Sequence, residues 1–130
     1  MNIEVITKKK QNMDLYIFIF YSEDDICQKL KEFNIKCNYS KLQKDFKGKY
    51  DSLVKFYSEN SRVWLIGLGK KKDLTSLKVR KCLTNISSML KNVDDTKIML
   101  YPVDKFVDAQ VQSITMNNYA FNKYKSSKNK

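Results

Sequence analysis

An α/β sandwich built on a mixed sheet is the fold class this sequence predicts, and three observations predict it. Two apolar runs of strand length, Leu15 to Tyr21 and Arg62 to Gly69, are continuous enough to be covered on both faces. Between and after them, apolar residues recur at helical spacing, as in Ile26, Leu30 and Phe33. A short Glu59-Asn60-Ser61 turn joins two strand-like segments as an antiparallel hairpin, whereas the helical crossovers favour parallel neighbours.

The elements follow in order. Asn2 to Thr7 alternates apolar and polar side chains and predicts a strand, ended by the exposed Lys8-Lys9-Lys10-Gln11-Asn12 loop. Leu15 to Tyr21, rich in aromatic residues, is the central-strand candidate. Ser22 is the expected cap of a helix with Asp25 three residues later, and that helix should stop near Asn34. Asn34 to Gly48 is polar and irregular, with Gly48 as a turn before a strand over Ser52 to Ser58. After the Arg62 to Gly69 strand, Thr75 is the expected N-cap of the next helix, and Leu74 can pack onto Val79 one turn later. Val79, Cys82, Leu83, Ile86, Met89 and Leu90 keep that helix's apolar face continuous. Asp94-Asp95 turns into a strand over Lys97 to Tyr101 that Pro102 ends, and Asp104 is the expected cap of a last helix carrying Val107, Val111 and Ile114, frayed beyond Tyr119. One domain over residues 1–122 is expected, with 123–130 a basic linker or disordered tail.

The chain has 130 residues, 42% of them hydrophobic, which suits one core. Its net charge of +11 comes mostly from lysine. Such a surface attracts polyanions, nucleic acid included, but says nothing of fold or chemistry. No apolar run is long enough to span a bilayer and no secretion leader is visible, so a cytosolic protein without a membrane association is expected. Cys27, Cys37 and Cys82 form an odd set without a Cys-x-x-Cys, in a chain with no His, which indicates buried free thiols rather than a disulfide framework or a zinc site. Asn38-Tyr39-Ser40 and Asn85-Ile86-Ser87 fit the glycosylation sequon without a route to that machinery.

Two stretches carry a family resemblance. Val63-Trp64-Leu65-Ile66-Gly67-Leu68-Gly69-Lys70-Lys71-Lys72-Asp73-Leu74-Thr75 is similar to the strand, Gly-x-Gly-Lys turn and helix opening of the leucyl (cytosol) aminopeptidase N-terminal domain. Asn118-Tyr119-Ala120-Phe121-Asn122-Lys123-Tyr124-Lys125-Ser126 resembles the family's Tyr-x-Phe-Asp-x-Tyr-Lys segment, with Asn122 in place of the usual acid. The resemblance covers Val63 to Lys130 well, and earlier residues match only in element order. It implies a three-layer α/β/α fold of macro-domain type. It also implies a parent enzyme that removes N-terminal residues from peptides with two divalent metals, zinc or manganese, in a C-terminal catalytic domain, usually as a homo-hexamer. The metal-binding signatures of that second domain do not occur in this sequence. The chain is therefore expected to be a domain separated from a longer protein, or a natural remnant, and to be inactive by itself.

Candidate chemistry within the chain is sparse. Two-metal hydrolysis needs several carboxylates around closely spaced ions, and the acidic pairs Asp24-Asp25 and Asp94-Asp95 sit where helix starts and turns place Asp, so capping is the expected role and no catalytic or metal residue is assigned. Gly67, Gly69, Lys70, Lys71 and Lys72 lie between a strand and a helix, where backbone amides can hold phosphate, although the two glycines also suit a plain tight turn. Tyr119, Phe121 and Tyr124 are candidates for contact with the absent catalytic domain or with this domain's own sheet or, given Lys123 and Lys125 between them, for stacking on bases, as some bacterial family members bind DNA through this domain. Trp64 is expected in the core.

Overall fold

The computed structural model describes residues 2–5, 14–59, 61–90 and 97–115. In chain order these form β1 (Asn2–Val5), β2 (Leu15–Phe20), α1 (Ile26–Glu32), α2 (Tyr39–Asp45), β3 (Ser52–Ser58), β4 (Ser61–Gly67), α3 (Ser76–Leu90), β5 (Lys97–Tyr101) and α4 (Val107–Thr115). The strands make one sheet in the order β1-β5-β2-β4-β3. All neighbours are parallel except the β3–β4 hairpin, which is antiparallel. The mixed sheet expected from the hairpin and the helical crossovers is the one observed.

β2 stands in the middle, and each of its six residues is buried. Because side chains alternate along a strand, β2 divides the apolar content between two layers. Leu15, Ile17 and Ile19 join Trp64, Ile66, Ile98 and Leu100 beneath α3 and α4. Tyr16, Phe18 and Phe20 join Val63, Leu65, Met99 and Tyr101 beneath α1 and α2. The aromatic rings thus gather on one face, where Phe18 stacks on Tyr101 at 4.7 Å between centroids and Phe33 tilts against Tyr101 at 4.4 Å. Ring pairs of this kind add about 0.5–1.5 kcal/mol beyond their buried area. With helices on both faces of the sheet, the architecture is a three-layer α/β/α sandwich.

Several local expectations change. α1 begins later than Ser22, because Asp24 accepts from the Tyr21 amide (2.8 Å) and closes a turn there. Asp25 becomes the cap, accepting from Gln28 N at 3.1 Å, while the Ser22 hydroxyl donates to Gly48 O at 3.2 Å. The helix does end near Asn34: Phe33 is its C-cap, Asn34 follows at φ 56°, and Asn34 N and Ile35 N donate back to Lys31 O and Leu30 O, a closure in which an Asn tolerates the left-handed region. The stretch expected to be irregular contains α2, capped by Asn38 through Lys41 N at 3.1 Å. Leu42 is its one buried residue, so no apolar stripe announces it. The hairpin turn is tighter than expected, since Ser61 already pairs with Ser58. α3 starts as anticipated, with Thr75 accepting from Lys78 N at 3.2 Å and Leu74 and Val79 buried together.

The last helix departs from expectation too. α4 begins at Val107, just after Phe106 at φ 58°, and Asp104 does not cap it. The connection is held by Gln110, which is fully buried and reaches back to Val103 N, Val103 O and Lys105 O. Cys27 and Cys82 are buried free thiols, whereas Cys37 is only partly buried. The Lys8 to Asn12 loop, Asp94-Asp95 and everything beyond Thr115 lie outside the described residues.

Candidate functional site

The register places the C-terminal ends of β5, β2 and β4 side by side, Tyr101 against Phe18 and Gly67 against Phe20. In open α/β sheets this edge is where ligands gather, and the glycine–lysine turn lies on it. Leu68 N continues the ladder to Phe20 O, Gly69 N donates to Gly48 O, and Ser22 N donates to Gly69 O, each at 2.9 Å. Gly67 is required by a close approach: a Cβ there would stand 2.2 Å from Lys49 O. Gly69 turns the chain at φ 79°. Both glycines therefore have structural work independent of any ligand.

The first amide of the following 3₁₀ turn, Lys71 N, faces the Glu23 carboxylate at 3.2 and 3.3 Å. A carboxylate of the chain itself thus occupies the position an anion would take at this turn. The Lys71 ammonium pairs with Asp104 at 2.9 Å, and Asp104 also accepts from the Tyr21 hydroxyl at 2.7 Å. The Lys71 and Tyr21 hydrogen bonds hold the Asp104 carboxyl below its usual range. Burial, reinforced by Asp104, pushes the Tyr21 phenol well above its ordinary value. Lys105 donates to Lys71 O at 3.0 Å and ties the third strand end to the same knot. Lys70 and Lys72 remain exposed, and the Gly48–Gly69 contact sets the exposed Lys47 and Lys49 on the adjoining loop.

Of the residues singled out from sequence, Gly67, Gly69, Lys70, Lys71 and Lys72 are thus brought together at the strand ends, while Tyr119, Phe121 and Tyr124 lie outside the described residues. Sequence inspection missed Tyr21, Glu23, Asp104 and Lys105 as members of this cluster. The signal for them was the register: once three apolar runs are aligned in parallel, the residues following each run become neighbours. Asp24 and Asp25 are engaged by the Tyr21 and Gln28 amides, as expected of capping residues. Among the described residues no three His, Cys, Asp or Glu side chains are grouped to hold a metal ion, and no helix is long and apolar enough to cross a membrane. Trp64 is in the core, 3% exposed, with the Lys55 ammonium 4.8 Å from its ring.

Two clefts flank this end of the sheet. One of about 210 Å³ lies between α1 and α2, lined by Ser22, Asp25, Cys27, Leu42 and Phe46 among others. A wider groove of about 600 Å³ runs between Tyr50-Asp51 and the α3 residues Arg80, Lys81, Thr84 and Asn85.

Comparison with known proteins bears on this arrangement. The cytosol aminopeptidase family, N-terminal domain, matches residues 19–128. A probable cytosol aminopeptidase of Clostridium perfringens (strain 13 / Type A) is 26% identical over 135 residues, covering 95% of this chain but 27% of its own length. The solved structure of a tomato leucine aminopeptidase mutant superimposes over 100% of this chain and 30% of its own, with a TM-score of 0.64 and 15% identity, a likeness of fold.

Proposed function

The chain belongs to the cytosol aminopeptidase family as its N-terminal domain, and from that membership we propose that it is a non-catalytic assembly or regulatory domain of a leucyl aminopeptidase. Residues 1–122 form the domain and 123–130 the linker to a C-terminal catalytic domain. That second domain holds two divalent metals, zinc or manganese, and releases N-terminal amino acids from peptides in the cytoplasm, in a homo-hexamer. The observation that carries this reading is the pairing of a family match over most of the chain with coverage of only 27% of the relative's length. Among the described residues, Asp24, Asp25 and Asp104 are engaged in closing a turn, capping a helix and an ion pair, which supports a division of labour in which metal ligands come from elsewhere. Tyr119, Phe121 and Tyr124 supply contacts to the catalytic domain.

The reading frame downstream of the Lys130 codon is the first test, and a carboxylate-rich continuation with the family's metal-binding signatures is expected. In solution, purified residues 1–130 should release no leucine from a leucyl anilide with zinc or manganese added. Metal-dependent release by this chain alone would overturn the assignment.

A second reading, a polyanion or nucleotide-binding module, draws on the two lysine-bearing loops joined by the Gly48–Gly69 hydrogen bond. Lys47, Lys49, Lys70 and Lys72 would supply the contacts. It requires affinity for nucleic acid or polyphosphate that falls steeply with salt, because phosphate contacts release counterions. Absence of binding at low salt removes it.

A further inference from the structure

β3 closes one end of the sheet. Its pairing with β4 begins at Ser58–Ser61 across a two-residue turn. In such a hairpin the residues bracketing the turn form a hydrogen-bonded pair and the pattern alternates from there, so Val54 and Phe56 bond toward β4. The backbone N–H and C=O of Leu53, Lys55 and Tyr57 consequently face an edge to which no other strand of the described residues is joined. Their side chains share one face by strand alternation, the α3 side, as the packing of Leu53 against Trp64 and its neighbours and the stacking of Lys55 on Trp64 confirm. Along this strip Lys55 is exposed and Tyr57 is 72% exposed, with the Arg62 guanidinium 5.7 Å from the Tyr57 ring. At its other end the strip opens into the groove bounded by Tyr50, Asp51 and Lys81.

We propose that the β3 edge is a docking site for an extended, acidic segment of a partner polypeptide, added to the sheet as a further strand. The backbone groups of Leu53, Lys55 and Tyr57 supply the ladder. Charge selects the occupant: a strand laid along β3 sets its middle side chain across from Lys55, and an opposite charge there stabilises the pair while a like charge opposes it. The same rule disfavours a second copy of this chain, because full-length antiparallel pairing of β3 with itself sets Lys55 against Lys55. An edge lysine thus blocks indiscriminate strand addition and admits a carboxylate. Tyr57 offers an aromatic surface beside it.

The test uses the whole 130-residue chain and two synthetic strand-length peptides, one alternating valine with glutamate and one alternating valine with lysine. Amide shifts are followed by NMR, together with the emission of Trp64, the chain's single tryptophan, which lies under Lys55. The valine–glutamate peptide should shift the Leu53, Lys55 and Tyr57 amides and the Trp64 emission saturably, and the valine–lysine peptide should not. In K55E, which also removes the cation above Trp64, the preference should reverse while a cooperative thermal transition is retained. Equal responses to both peptides, no response to either, shifts confined to the lysine loops at the strand ends, or self-association through β3 in sedimentation would each overturn the proposal.

Discussion

At the scale of single residues, the structure depends on side chains whose importance is steric or concerns hydrogen bonding rather than chemistry. Gly67→Ala would drive a methyl group against Lys49 O, 2.2 Å from the Cβ position, and against Gly48 C at 2.6 Å. Backbone cannot yield as a flexible side chain does, so a loss of about 1–3 kcal/mol is expected in urea unfolding, the range for overpacked sites. Gln110 is the counterpart for polarity. Gln110→Leu keeps the volume but strands Val103 N, Val103 O and Lys105 O, and each buried group left without a partner costs about 1–3 kcal/mol. That variant should be among the least stable single substitutions, as its thermal midpoint would report. The Cys82 thiol is pushed up to about 12, by burial first and the Asp51 charge next. The fold thus favours the protonated thiol, so this contribution to stability is fully present below the ordinary thiol value of 9.0 and is lost as pH rises toward about 12. Unfolding free energy measured across that window should fall less steeply in Cys82→Ala.

At the scale of elements, the capping assignments make a discriminating experiment. Asp25→Ala and Asn38→Ala should each cost about 0.5–2 kcal/mol, the usual value of an N-cap, since both accept from a first-turn amide. Asp104→Ala should leave the α4 start intact and instead free Lys71 and Tyr21, a difference visible in the chemical shifts of Val107 and Tyr21. Elements with redundant signals were legible beforehand. β2 and β4 are long apolar runs, and α3 carries both an N-cap and a periodic apolar face whose Val79, Cys82, Leu83, Ile86 and Leu90 are buried while Met89 is exposed, so pattern and position largely agreed. α2 was illegible because Leu42 is its one buried residue, with Tyr39 only partly buried against the same core, and its cap, Asn38, belongs to a stretch that also fits a sequon. Ser22 and Asp104 were mistaken for caps because each has a partner distant in sequence, Gly48 and Tyr21, that no local pattern contains. The glycine–lysine turn was visible as a motif; its Glu23, Asp104 and Lys105 partners depended on strand order, which local pattern does not encode.

At the scale of the whole molecule, a net charge of +11 means that folding gathers like charges. Lys47, Lys49, Lys70 and Lys72 lie on loops joined by the Gly48–Gly69 bond, so compaction works against their repulsion. Screening relieves it. The thermal midpoint of the chain should therefore rise from low to physiological ionic strength, and a flat response would show that Glu23, Asp51 and Asp104 already balance that end. The central position of β2 has a separate consequence, during synthesis. Its six residues Leu15–Phe20 need β4 on one side and β5 (Lys97–Tyr101) on the other, yet at translation rates of about 5–20 residues per second the second neighbour follows roughly 4–16 s later. Meanwhile an uncharged, proline-free aromatic segment of the kind that stacks into cross-β aggregates is exposed. Lys8-Lys9-Lys10 upstream and Glu23-Asp24-Asp25 downstream bracket it with charge of both signs, and such flanking charges keep nascent chains apart until the central strand is enclosed.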